Sequence, residues 1–172
     1  MEGKGLINIV ARALQFLWTL LVMAITGNMI HSSWSGTNSA PSIINYTMFC
    51  AVWAMLTLFY LIPATVKDSF QIHAALPFAL DVLNTVFWFC AAVAFAAKLG
   101  AHSCSDVGYV MSNEVTSSAP NMEKQCREGQ AVTAFLWFGF AAFAVSTALT
   151  GLGGLGGGSS RRVARGPQMS KV

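Results

Sequence analysis

The chain has 172 residues, of which 55% are hydrophobic and only 10% charged. A soluble domain of this size carries about 25% charged residues to solvate its surface, so the composition excludes a soluble globule and points to a membrane. The net charge of +3 is small and scattered, which argues against a nucleic-acid partner. Four cysteines without a Cys-x-x-Cys pair, beside three histidines far apart, argue against a zinc site.

Four long apolar segments follow one another, at about 6–30, 43–66, 72–99 and 131–155. A helix rises about 1.5 Å per residue, so roughly 20 residues span a hydrocarbon core of about 30 Å. Each segment is long enough. None shows the period-2 alternation of an outer-membrane barrel, so the expected fold is all-α: an integral membrane bundle of four helices over 1–155, with an outer loop at 100–130. Residues 156–172, Gly-rich and then basic, read as a flexible tail. The first segment could instead be a signal peptide, since Lys4 precedes it. Its apolar part, from Ala13 to Ile30, is longer than the usual core of about 7–15 residues.

Orientation follows from lysine and arginine. With both termini in the cytoplasm, that side holds Lys4, Arg12, Lys67, Arg161, Arg162, Arg165 and Lys171, and the other side only Lys98, Lys124 and Arg127. Both ends inside is the expected topology, with a very tight inner turn at Lys67–Gln71.

Cys104 and Cys126 fall in the long outer loop. Outside the cytoplasm such a pair is expected to oxidise, and closing the loop would stabilise by about 3 kcal/mol. Free thiols or a redox-active pair are the alternatives, although the latter favours a Cys-x-x-Cys spacing. Cys50 and Cys90 lie inside helices and read as small packing residues.

Asp81 is the most informative single residue, because an ionisable group inside a membrane helix is costly and usually faces the protein interior or water. Asn84 and Trp88 share its face at i+3 and i+7. Pro77, one turn earlier, is expected to free a backbone carbonyl. Arg12 lies at a similar depth in the first helix. A pair between Arg12 and Asp81, with Asn84 adding a hydrogen bond, is one expectation; a snorkelling Arg12 beside a protonated or hydrated Asp81 is the other.

Ala142, Ser146 and Thr150 form a small-residue ridge, as do Ala92 and Ala96, and such ridges let helices approach closely in lipid. Packing within one chain accounts for them more simply than an oligomer face. The clusters Phe87-Trp88-Phe89 and Phe135-Leu136-Trp137-Phe138 hold too many rings for one face, so some must touch lipid. Asn45-Tyr46-Thr47 matches a glycosylation pattern but abuts a span and is expected to stay unmodified. In the tail, Arg161, Arg162, Arg165 and Lys171 could attract anionic inner-leaflet lipids, each worth about 1 kcal/mol near the surface. Phosphorylation of Ser159 or Ser160 would then weaken that attraction. A tail whose charges merely set topology is the alternative. No triad, metal-ligand spacing or phosphate-cradling loop suggests an enzyme or a cofactor.

Several stretches resemble the fungal tetraspan family of non-classical export proteins, a branch of the MARVEL-domain membrane proteins. They are Asn45-Tyr46-x-Met48-Phe49, Leu80-Asp81-x-Leu83-Asn84-x-Val86-Phe87, Ala101-His102-Ser103-Cys104, Tyr109-Val110, Ser112-Asn113, and Cys126-Arg127-x-x-Gln130-Ala131-x-x-Ala134-Phe135-Leu136-x-Phe138. The likeness covers essentially the whole chain. It implies a multi-pass plasma-membrane protein in eisosome-associated furrow domains, responsive to sphingolipid, self-associating, with a tail that serves eisosome assembly. The family's name reflects a proposed part in export without a signal peptide.

The leading expectation is therefore a non-catalytic membrane organiser. Its partners would be sphingolipid, sterol and anionic inner-leaflet lipids, further copies of itself and eisosome proteins. A small oligomeric channel or transporter, with Asp81 and Asn84 on its path, is the second; a membrane redox enzyme using Cys104 and Cys126 is the third.

Overall fold

The computed structural model describes residues 2–66 and 75–157, with side chains over 6–65 and 75–151. Five helices follow in order: α1 Glu2–Thr37, α2 Ser42–Val66, α3 Leu76–Leu99, the short α4 Val107–Ser112, and α5 Met122–Gly157. All but α4 are long and apolar enough to cross a membrane, and there is no strand among the described residues. The tight turn at 67–71 and the tail residues Ser159, Ser160, Arg161, Arg162, Arg165 and Lys171 lie outside the described residues.

Of the helix ends that differ from those expected, three do so for a local reason. α1 does not stop at Ile30 but continues to Thr37, because polar Ser33 is buried against the loop rather than exposed. It ends where Asn38 takes a left-handed conformation, φ 59°, a common helix terminator. α5 begins at Met122 instead of 131. Asn121 caps it, its Oδ1 accepting from the Lys124 N–H at 3.0 Å. The charged first turns are held by the i,i+4 pairs Glu123–Arg127 and Lys124–Glu128, 2.5 and 3.5 Å. Hydropathy fades there while the helix continues, so the loop runs from 100 to 121. α3 starts at Leu76 rather than 72, which puts Pro77 in its first turn. A proline there removes no helical bond, so it frees no carbonyl, contrary to expectation.

α1 packs against α2 and α5, and α3 packs against the same two. The α1/α3 and α2/α5 pairs therefore face each other across the bundle diagonals. Buried positions recur at alternating spacings of three and four, the seam of a left-handed bundle. On α3 they include Asp81, Asn84, Trp88, Ala91, Phe95 and Leu99, with Ala92 buried beside them. On α5 they include Gln125, Val132, Leu136, Phe143 and Ser146. Rings outside this seam turn outward: Phe89, Trp137 and Phe138 are exposed beside the fully buried Trp88 and Leu136. Of the two intrahelical cysteines, Cys50 packs inside as expected, whereas Cys90 faces outward.

Candidate functional site

The inward seam of α1 reads Arg12, Gln15, Thr19, Val22, Thr26, Met29 and Ser33, all buried. Five of these seven are polar or charged, inverting the usual pattern of a helix in water. In lipid, polar groups are best satisfied inside the protein: Arg12, Gln15 and Ser33 find partners in two clusters, Thr26 bonds back to Val22 O, and Thr19 Oγ1 has no partner among the described residues.

The first lies near the end that carries the termini. Arg12 reaches across the diagonal and donates to Asp81 through two parallel bonds, Nη1 to Oδ1 at 2.6 Å and Nη2 to Oδ2 at 2.7 Å. Nη1 also donates to Gln15 Oε1 at 2.9 Å, and Nε to Thr65 Oγ1 at 3.3 Å. Gln15 passes the connection to α5, its Nε2 donating to Ser146 Oγ at 2.8 Å and to Ala142 O at 3.0 Å. One guanidinium thus joins all four membrane helices. Two charges buried together are tolerable only with such geometry and extra hydrogen bonds.

Contrary to expectation, Asn84 does not join the pair. Its Nδ2 donates instead to Thr57 Oγ1 at 2.8 Å, one turn deeper, and Gln15 takes the expected place beside the charges. Ser146, read from sequence as a small packing residue, is also a hydrogen-bond acceptor. Gln15, Thr19, Thr57 and Thr65 carried no sequence prediction. The recurrence of polar residues at 12, 15, 19, 26 and 33, on a three-four spacing, is the signal that would have found the α1 members.

The second cluster closes the opposite end. The buried Ser33 hydroxyl lies 2.9 Å from both Met29 O and Ser118 Oγ, and accepts from Gln125 Nε2 at 3.1 Å. Gly36 lets the loop backbone at Ser118 approach α1 so closely that a Cβ would collide with it. α4 is tied down by the Tyr109 hydroxyl, which donates to Leu99 O, and by Asn113 Nδ2, which donates to Lys98 O at 2.9 Å. Burial raises the Tyr109 pKa above the usual phenol value. The sulfurs of Cys104 and Cys126 are at bonding distance, with their Cα atoms 5.6 Å apart, inside the range a disulfide needs. Each basic residue of this end meets a carboxylate: Lys98 with Glu114, Lys124 with Glu128, and Arg127 with Glu123.

This arrangement can brace a bundle, and its two ends are chemically distinct. The profile of the MARVEL membrane-associating domain matches residues 5–149. Non-classical export protein 102 of Candida albicans is 36% identical over 171 residues, covering 96% of this chain and 97% of its own. Non-classical export protein 2 of Saccharomyces cerevisiae is 30% identical over 139 residues, covering 80% and 76%. This chain belongs to the non-classical export protein family of MARVEL membrane proteins. No solved structure matches it. As a MARVEL protein it is a multi-pass membrane protein, and the Arg12–Asp81 fork is the ionic core of its bundle.

Proposed function

We propose that this MARVEL protein is a non-catalytic organiser of plasma-membrane microdomains, of the eisosome-associated kind, acting through self-association and lateral contact with lipid. One observation carries the reading. Arg12, Gln15, Thr57, Asp81, Asn84 and Ser146 turn inward and bond to one another across the bundle, whereas the outward faces are apolar: Leu17, Leu56, Phe59, Val86 and Phe138 are all exposed. Such a body meets its surroundings through lipid-facing surface rather than through a cleft. The names of the relatives speak of export by a non-classical route, and no feature of the bundle favours that role over organisation.

Both termini lie in the cytoplasm in this reading, supported by the Cys104–Cys126 pair at the opposite end, where an oxidising compartment would keep it bonded. The basic tail then faces the anionic inner leaflet, and sphingolipid or sterol meets the outward faces. A channel through one bundle is disfavoured, because Val22, Met29, Trp88, Phe95, Leu136 and Phe143 fill the interior at 0% exposure.

The test is twofold. Copies carrying two fluorophores, expressed together, should show energy transfer within patches of the plasma membrane. Purified protein in sealed vesicles should pass no ions. Uniformly spread, non-associating copies would sink the organiser reading, and ion flux abolished by Asp81→Asn would replace it with a channel.

A further inference from the structure

The seam between α1 and α2 opens laterally into a groove of about 350 Å³ near the terminal end of the bundle, lined by Ile9, Arg12, Ala13, Phe16, Ile62 and Thr65. It is apolar apart from Arg12 and Thr65. A helix, about 10–12 Å across with its side chains, does not fit such a space, whereas a hydrocarbon chain does.

A guanidinium has five N–H donors in one rigid plane. In Arg12, Nε gives its hydrogen to Thr65, Nη1 gives one to Gln15 and one to Asp81, and Nη2 gives one to Asp81. The second Nη2 hydrogen has no partner among the described residues. Because Nη1 and Nη2 together grip the carboxylate, the planar fork directs that remaining hydrogen alongside Nε–H, towards Thr65 and so into the groove. Thr65 has no complementary need: its hydroxyl donates to Leu61 O at 2.7 Å and accepts from Arg12. The site therefore asks for a hydrogen-bond acceptor attached to an apolar chain.

Depth narrows the choice. From Asp81 to Leu99 the helix rises about 27 Å, and the exposed Lys98 marks the far edge of the bilayer. In a hydrocarbon core of about 30 Å, Arg12 and Asp81 lie at the near edge, the level of the glycerol esters. We propose that this groove binds one diester glycerophospholipid of the leaflet next to the termini, with an ester carbonyl accepting from Arg12 Nη2 and the acyl chain running along Ala13, Phe16 and Ile62. The proposal rests on the lipid-contact reading above and names a site for it.

The probe is full-length protein in vesicles of phosphatidylcholine doped with a phosphatidylcholine that bears a photoreactive diazirine on one acyl chain. Crosslinks are expected to concentrate on peptides containing residues 9–16 and 62–65. Ala13→Trp, on an exposed position, should cut them several-fold by filling the groove. Unlabelled diester lipid should compete about tenfold better than the diether analogue, which lacks the carbonyl acceptor of a charge-assisted bond. Crosslinks spread evenly over all four spans, unaffected by Ala13→Trp, or equal competition by the diether, would overturn the site. Energy transfer between copies is read separately: if it fails while the crosslinks persist, the organiser reading falls and the lipid site stands.

Discussion

The six-membered ring of Trp88 occupies the space that a side chain at position 139 would take, and Gly139 leaves that space open. The indole is fully buried and lies 5.4 Å from the ring of Phe143, so it has nowhere to retreat. Overpacking a tight core costs about 1–3 kcal/mol. Gly139→Ala should accordingly lower the unfolding midpoint of the protein in detergent micelles. Adding Trp88→Phe, which shortens the ring, should recover part of the loss. An unchanged midpoint for Gly139→Ala would mean that α3 and α5 are not in this contact.

The Arg12–Asp81 fork makes a sharper prediction through non-additivity. Removing one partner leaves the other charge buried and unmatched, which costs about 3–5 kcal/mol. Arg12→Met and Asp81→Leu should each destabilise strongly, and the double variant by less than the sum. Denaturation in mixed micelles, run as a double-mutant cycle, reads the coupling directly. Additive losses would show that the two side chains do not interact in the membrane.

Much of this architecture is legible before any coordinates. Four spans follow from length and hydropathy, because lipid forces the backbone to satisfy itself segment by segment. Cost and matching depth single out Arg12 and Asp81 but leave a pair and a snorkelling arginine both open, and the fork geometry decides between them. What escaped was the remainder of the polar interior. Gln15, Thr57 and Thr65 are uncharged, so a search for charges within the spans passes over them, and their partners lie on other helices at separations that sequence does not reveal. The ends of α1 and α5 escaped for a related reason. Ser33 is buried by a loop folded over it, and Glu123 to Glu128 stay helical by pairing along the helix. A scan for polar residues at three-four spacing would have exposed the α1 seam, but not the identity of what it touches.

The Cys104–Cys126 pair closes a segment with a sequence separation of 22. Constraining a loop of that size contributes about 3 kcal/mol. Replacing both residues by serine should loosen residues 104–126 and lower the thermal midpoint, while the four spans remain inserted. Maleimide gel-shift assays should find these thiols blocked until a reductant is added, with the bond formed only when the loop reaches an oxidising compartment. In a background with Cys50→Ser and Cys90→Ser, which removes the two free thiols, labelling without reductant in protein from intact cells would contradict the pairing.

Gln125 offers the most local test, because its fully packed amide reaches from α5 to α1 at the loop end. Its Nε2 donates to Ser33 Oγ at 3.1 Å and to Met29 O at 3.3 Å, and Ser33 in turn meets Ser118 of the loop. Gln125→Leu keeps the volume roughly constant but removes the donor, leaving buried acceptors short of a partner at a cost of about 1–3 kcal/mol. Because Ser118 is anchored through Ser33, the loss should spread to the loop rather than to the membrane core. Hydrogen exchange followed by mass spectrometry should show faster exchange over residues 113–118 and unchanged protection over 81–95. Faster exchange in 81–95 as well would mean that the two polar clusters form one cooperative unit.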